Sequence, residues 1–234
     1  MPFFGISVRD LYFQYNSGGG VYMFEESSLA PSLTGLSALM DRGSKLEITP
    51  RTDEAQVTLS PVSAADGPFL YRTFASTRAA EMELTGWNEE QKESFLRMQY
   101  EAQKASYLLQ LPDAEYWLVR RGDSAVGRLI LNYTAPEIHV VDIAILPEFR
   151  AQGIGSVLMQ AIMKEAAEAG KSVGLHVERF NPALHWYERL GFAVVNAGPI
   201  YLEMVWRPQL SDAGERQMPE SESRVGEAYV HLSD

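Results

Sequence analysis

The sequence predicts an α/β (α+β) fold with a mixed, largely antiparallel sheet, and three observations carry that expectation. An apolar run, Ile138 to Leu146, leads through Arg150-Ala151-Gln152-Gly153-Ile154-Gly155 into an amphipathic pattern from Ile154 to Ala169, and a further apolar run follows at Ser172 to Val177. That order is a parallel β-α-β unit. Upstream, Glu115 to Arg121 and Ala125 to Tyr133 flank Arg121-Gly122-Asp123-Ser124 and read as a hairpin. Between residues 88 and 111, Phe95, Met98, Ala102, Ala105 and Leu109 recur at helical spacing behind the cap pair Asn88 and Gln91.

The remaining elements fall around these. Gln56 to Ser60 reads as a first strand and Ala64 to Arg78 as a first helix; Phe192 to Val195 and Tyr201 to Trp206 read as a closing antiparallel pair. Residues 51–207 therefore form one domain, preceded by an appendage, 1–50, and followed by an acidic tail, 208–234. In the appendage, Leu11 to Tyr15 and Val21 to Phe24 flank Asn16-Ser17-Gly18-Gly19-Gly20, the pattern of a hairpin with an aromatic face. A lone hairpin is marginal in water, so those aromatics need the domain or a second copy of the chain, as in a homodimer, to cover them. Met23 and Met40 are alternative starts that would make part of this region irrelevant. The tail carries six acidic residues against Arg216 and Arg224 and few apolar ones, and reads as a disordered, solvated end.

Composition narrows the function classes. The 234 residues suffice for a full core, and a net charge of −11 argues against nucleic acid, whose phosphates need clustered cations. No apolar stretch approaches a membrane span, and Arg9 and Asp10 interrupt the region where a signal peptide would be apolar, so the expectation is a cytoplasmic protein with no membrane partner. The chain has no cysteine, which removes thiolate metal sites and a cysteine acyl-enzyme. His139, His176, His185 and His231 lack paired ligand spacing, so no metal is expected.

The loop between the parallel strands carries the chemistry. A strand that passes through a glycine turn into a helix aims free N–H groups and the positive helix end at one small volume, a cradle for a pyrophosphate. Gly153 and Gly155 let the backbone approach closely, and Arg150 offers a charged donor. A P-loop would need Gly-Lys-Ser/Thr, but Gly155 is followed by Ser156 and Val157. A dinucleotide fingerprint would need glycine where Leu158 stands, although Glu178 falls at the expected distance downstream. The pattern Arg/Gln-x-x-Gly-x-Gly after Ile145-Leu146-Pro147-Glu148-Phe149-Arg150 resembles the acyl-CoA loop of the GNAT superfamily of N-acyltransferases. Downstream, Asn181-Pro182-Ala183-Leu184-His185-Trp186-Tyr187-Glu188-Arg189-Leu190-Gly191-Phe192 is similar to that family's second signature, with Asn181 suited to a helix cap, Pro182 to the first helical position and Gly191 to a left-handed end. The resemblance covers residues 56–207. Ala75 to Met82, Trp87 and Gln91 to Gln99 further resemble a poorly characterised bacterial branch.

The resemblance implies a fold in which the strands ending at Ile145 and Val177 splay, leaving a V-shaped gap for the pantetheine arm of acetyl-CoA. It implies acetyl transfer to a primary amine, of a small molecule or alternatively a peptide, in a direct ternary complex. Ile145, Leu146, Arg150, Ala151, Gln152, Gly153, Ile154, Gly155 and Asn181 are the implied cofactor-binding residues, with the Ile145 N–H polarising the thioester carbonyl. Tyr187 is the implied general acid, competing with a packing role on the stripe Leu184, Tyr187, Leu190. His139 shares strand parity with Ile145 and stands where one branch carries a catalytic glutamate, which makes it the candidate base, with Asp142 and Glu178 as alternatives acting through water. A non-catalytic CoA-binding module is the alternative class. The acceptor is expected near the first two helices, where Tyr71, Phe74, Trp87, Phe95 and Tyr100 offer an aromatic lining and Glu81, Glu83 and Glu89 a counter-charge.

Overall fold

The computed structural model describes residues 57–209, so the appendage hairpin and the tail beyond residue 209 lie outside the described residues. A seven-stranded sheet has the order β1-β2-β3-β4-β5-β7-β6. Its strands are β1 (Val57–Pro61), β2 (Glu115–Arg121), β3 (Ser124–Tyr133), β4 (Glu137–Ile145), β5 (Ser172–Glu178), β6 (Ala193–Ala197) and β7 (Tyr201–Trp206). Every pairing is antiparallel except β4 with β5. The closing pair is present, but β7 inserts beside β5 and leaves β6 at the edge.

Helices α1 (Gly67–Glu83) and α2 (Glu89–Gln110) cover one face of the sheet, and α3 (Ile154–Glu168) and the short α4 (Leu184–Arg189) pack on the other. The first helix begins later and ends later than its apolar pattern suggests. Ser63 donates through its N–H and its hydroxyl to the Asp66 carboxylate across a 3-10 turn at Ala64–Asp66, and Pro68 then occupies the first turn, where its missing N–H is harmless.

The Asn88/Gln91 capping box forms at α2 as expected, with reciprocal bonds of 2.9 and 3.0 Å. The buried stripe of α2 differs from the predicted one. Met98 and Leu109 are exposed, and the inward positions are Leu96, Gln103 and Tyr107. A glutamine belongs there because Gln103 accepts a hydrogen bond from buried Arg128 at 3.3 Å, a requirement that counting apolar residues does not register.

The α3 side of the core is built from Ile154, Leu158, Met159 and Ile162 against Leu129, Ile143, Val173, Leu175 and Met204. Burying each of these large side chains contributes about 1.5–3 kcal/mol. At Gly127 of β3 the neighbouring strand lies close: a Cβ there would fall 2.4 Å from the Ala144 carbonyl oxygen.

The region that positions the site is the bulge in β4. Ile130 pairs with Asp142 and Leu131 with Val140, so Val141 is an extra residue. A bulge sharpens local twist and bends its strand. Beyond it, β4 leaves β5, for the parallel register runs only from Glu137↔Ser172 to Val140↔Leu175 although both strands continue.

Candidate active site

Where β4 and β5 separate, a narrow cleft of about 30 Å³ opens between them. Its walls are Val140 to Ile143 of β4, Leu175 to Glu178 of β5, and Asn181, Tyr187 and Tyr201. The adjoining pocket, about 410 Å³, is lined by Ile145, Arg150, Ala151, Gly153, Ile154, Gly155, Ser156 and Trp186, and Ile143 belongs to both. The loop and the gap predicted separately thus adjoin at Ile143.

The loop has the geometry of an anion cradle. Ala151 and Gly153 both adopt left-handed backbone, with φ of 58° and 79°, the alternation that turns successive N–H groups toward one concavity. Ala151 is the one non-glycine residue with positive φ among the described residues. Such backbone costs about 1 kcal/mol or more and concentrates at ligand sites. The first helical bond of α3 runs from Val157 N–H to the Gly153 carbonyl at 3.0 Å, so the N–H groups of Ile154, Gly155 and Ser156 precede the ladder. Gly155 lies under the Trp186 ring, 3.6 Å from where its Cβ would be.

Two loop side chains serve the loop itself. Arg150 donates through Nε to the Ile145 carbonyl at 2.8 Å and through Nη2 to the Ser76 carbonyl at 3.4 Å, lashing the cradle to the end of β4 and to α1. Gln152 donates to the Glu148 carbonyl at 2.8 Å and accepts from Arg121, and it does not line the pocket. Leu146 donates its N–H to the Val126 carbonyl at 2.9 Å. Because N–H groups alternate along a strand, that bond directs the Ile145 N–H away from β3, toward the gap.

Asn181 does not cap α4, whose N-cap is Ala183; its side chain accepts from the Ala183 N–H at 2.9 Å, closing the turn one step earlier. Gly191, with φ of 91°, ends the helix as expected. Tyr187 is buried, packs edge-on against Phe192 with centroids 5.7 Å apart, and also lines the gap, so the packing and site roles coincide. Burial, with the charge of Asp142 nearby, pushes its hydroxyl well above the ordinary tyrosine range. That shift favours the neutral hydroxyl, which can donate a hydrogen bond into the gap.

The bulge overturns the parity placed on His139. Ile138 and Val140 share the α3-side cluster with Ile143 and Ile145, so one extra residue puts His139 on the opposite face from Ile145. There its Nδ1 lies 2.9 Å from Glu137 Oε1 and its Nε2 lies 3.3 Å from His176 Nδ1. His139 does not line the cleft, whereas His176 does. Burial, then the neighbouring His139, lower the His176 pKa to about 4. Hydrogen bonding to His139 holds the Glu137 carboxyl below its usual range. Asp142 is buried against Arg128; burial raises its pKa, and the guanidinium opposes the rise.

Of the aromatics expected to line an acceptor pocket, Tyr71, Phe74, Phe95 and Tyr100 pack between α1 and α2, Tyr100 also lines a separate cavity of about 220 Å³, and Trp87 is exposed. Tyr71 and Phe74 pack on Tyr100 with centroids 5.6 and 5.5 Å apart, and Trp87 packs on Phe95 at 5.1 Å. Glu83 and Glu89 share Lys92, and Glu81 meets Arg78. Among the described residues no group of three His, Asp or Glu is placed to hold a metal ion, and no helix is long and apolar enough to cross a membrane.

The splayed parallel pair, the glycine loop and the buried tyrosine define an acyltransferase type of fold, and the comparisons agree. The model of the acetyltransferase (GNAT) family matches residues 78–192, so that stretch of the chain is a GNAT acetyltransferase domain. An N-alpha-acetyltransferase of Sulfurisphaera tokodaii is 45% identical over 60 residues, which are 24% of this chain and 36% of that relative. The match thus spans about a third of the relative's length. The crystal structure of the PaiA N-acetyltransferase of Thermoplasma acidophilum in complex with coenzyme A superposes with a TM-score of 0.51 at 18% identity, covering 65% of this chain and 99% of that one. That likeness supports the shared fold.

Proposed function

We propose that the chain is an acetyl-CoA-dependent N-acetyltransferase that acts on a primary amine, in the first instance of a small molecule, by direct attack in a ternary complex. The observation that carries this reading is that the cradle and the gap adjoin, with Ile143 in the wall of both. A diphosphate fits the N–H groups around Ala151, Gly153 and the start of α3, and the β4 edge beyond Val140 has no β5 partner and suits an extended amide arm. The thioester then lies at Ile145, whose N–H polarises the carbonyl.

In the transfer, the neutral amine nitrogen bonds to the carbonyl carbon, and the C–S bond breaks as the tetrahedral centre collapses. Tyr187 supplies a proton to the departing thiolate sulfur. Since thiolate is already a fair leaving group, much of the acceleration comes from holding both reactants in line. A peptide α-amine is the second reading, favoured by the stretch shared with the Sulfurisphaera tokodaii N-alpha-acetyltransferase.

The test is thiol release from acetyl-CoA with a panel running from small primary amines to peptides with free N-termini. Release that depends on one class of amine supports the enzyme and selects its acceptor. Tight acetyl-CoA binding without turnover on any amine would instead make the chain a CoA-binding module.

A further inference from the structure

The cluster Glu137, His139 and His176 begins at the gap. We infer that His176 is the group that takes the proton from the attacking amine, and that His139 and Glu137 form a relay carrying the charge away from the gap. This inference rests on the proposed acetyl transfer and adds its missing base.

The hydrogen-bond sequence sets the direction. A carboxylate only accepts, so Glu137 Oε1 at 2.9 Å places the proton of neutral His139 on Nδ1. His139 Nε2 is then a lone pair, and it accepts from His176 Nδ1–H at 3.3 Å. That leaves the Nε2 lone pair of His176, the cleft-lining member, as the proton acceptor. The cleft volume of about 30 Å³ matches one water molecule, which suffices to bridge an acceptor nitrogen to the ring.

The two halves of the transfer then approach from opposite faces. Tyr187 belongs to the α3-side cluster, whereas His176, alternating with Leu175 and Val177 of that cluster, faces the other way. As the C–N bond forms, the ammonium proton moves to His176 Nε2, the Nδ1 proton of His176 moves to His139 Nε2, and the positive charge comes to rest on His139 beside the Glu137 carboxylate. The thiolate takes its proton separately from Tyr187, so one proton enters and one leaves. Depression of the His176 pKa keeps its ring neutral before the reaction but also weakens it as a base, a weakening that the Glu137 carboxylate at the end of the relay opposes.

The fold maintains this chain at a specific point. Gly174 lies beneath the Glu137 carboxyl, where a Cβ would fall 2.4 Å from the carboxyl carbon and from Oε1. Ser172 adds a hydrogen bond to the same carboxylate. The other charged or titratable groups around His176 are Glu178 on its own strand, Glu203 directly opposite on β7, Asp142 of β4 across the cleft, and the Tyr187 and Tyr201 hydroxyls.

The experiment compares wild type with His176→Asn, which keeps a donor near the Nδ1 position but has no base, and with Glu137→Gln and Gly174→Ala. Rates are measured from pH 6 to 10 with the amine that the thiol-release panel selects, and acetyl-CoA affinity is measured by calorimetry. We expect His176→Asn to lose roughly 100-fold in kcat near pH 7, with the deficit shrinking toward pH 10 as hydroxide takes the ammonium proton in place of the ring, and with acetyl-CoA affinity unchanged. Glu137→Gln and Gly174→Ala should each lose about 10-fold in kcat with little change in KM. A deficit equal at every pH, a parallel loss of acetyl-CoA affinity, or wild-type rates in His176→Asn would overturn the relay. If wild type releases no thiol with any amine, the transferase reading fails instead, and nitrogen-15 NMR of the histidine rings still decides the relay. Neutral His176 with its proton on Nδ1 at pH 7 supports it, and a proton on Nε2 refutes it.

Discussion

Substituting Gly127→Ala tests how the strand packing holds the site. An alanine Cβ at this position lies 2.4 Å from the Ala144 carbonyl oxygen and 2.6 Å from Ile145 Cδ1. The Ile145 side chain can rotate, but the carbonyl belongs to the β3–β4 ladder. Real Cβ contacts essentially never fall under 3.0 Å, so the two strands must part by at least the difference, 3.0 − 2.4 = 0.6 Å. Overpacking of this kind costs about 1–3 kcal/mol, and its place in a central ladder argues for the upper half of that range. For a domain of this size each kcal/mol moves the melting midpoint by roughly 2–4 °C, so a drop of about 4–12 °C is expected. Calorimetric melting of Gly127→Ala beside Gly155→Ala is the assay. Gly155 is the control, because its Cβ would meet only the Trp186 ring at 3.6 Å and a helical glycine gains from alanine. Since Ile145 moves with the strand, acetyl-CoA should also bind more weakly to Gly127→Ala. Equal melting of the two variants would refute the claim that this contact limits the β3–β4 separation.

Tyr187→Phe should slow amine-dependent thiol release about 10- to 100-fold while acetyl-CoA affinity stays within about twofold; equal losses in both would make the tyrosine a packing residue. Arg128→Met leaves Asp142 buried without its partner and should cost about 3–5 kcal/mol in denaturant unfolding, with the double variant Arg128→Met/Asp142→Leu recovering much of it; no recovery would show the pair is not coupled. For pH, the native His176 pKa of about 4 lies below its unfolded value near 6.5, so the unfolded chain binds more protons between them. Stability therefore falls as pH drops through that window, by up to about 3 kcal/mol from this group, and Glu137, whose carboxyl is also held down, loses its contribution in the same direction. His176→Asn should flatten the melting-point curve between pH 6.5 and 4, and an unchanged slope would contradict the assignment.

The sequence discloses the parts of this molecule that local chemistry decides. Asn88 and Gln91 bond as their spacing requires, the Arg121 to Ser124 turn closes β2 and β3 with Gly122 in left-handed backbone, and the loop from Arg150 to Gly155 opens α3. What it conceals is set by contacts between distant segments. The bulge at Val141 comes from how β4 accommodates β3, and one extra residue moves His139 to the other face and opens the gap. The inward face of α2 follows from Arg128, a buried cation twenty-five positions from Gln103 that needs a polar partner. His176 carries no motif; the strict alternation of Val173, Leu175 and Val177 toward the core was the one signal that could have turned it toward the opposite face. Arg150, a charged donor suited to phosphate, bonds to the Ile145 carbonyl and also lines the pocket, while Gln152, which the family motif implies, bonds to the Glu148 carbonyl.

The central claim is that the glycine loop and the splayed strands form an acetyl-CoA site, and calorimetric titration of the chain with acetyl-CoA, CoA and NADH in parallel tests it most directly. The account predicts saturable binding of acetyl-CoA and CoA, no binding of NADH, and loss of the CoA signals on Gly153→Glu, which sets a bulky anion on left-handed backbone in the cradle. Binding of NADH alone, or of none of the three, would contradict it.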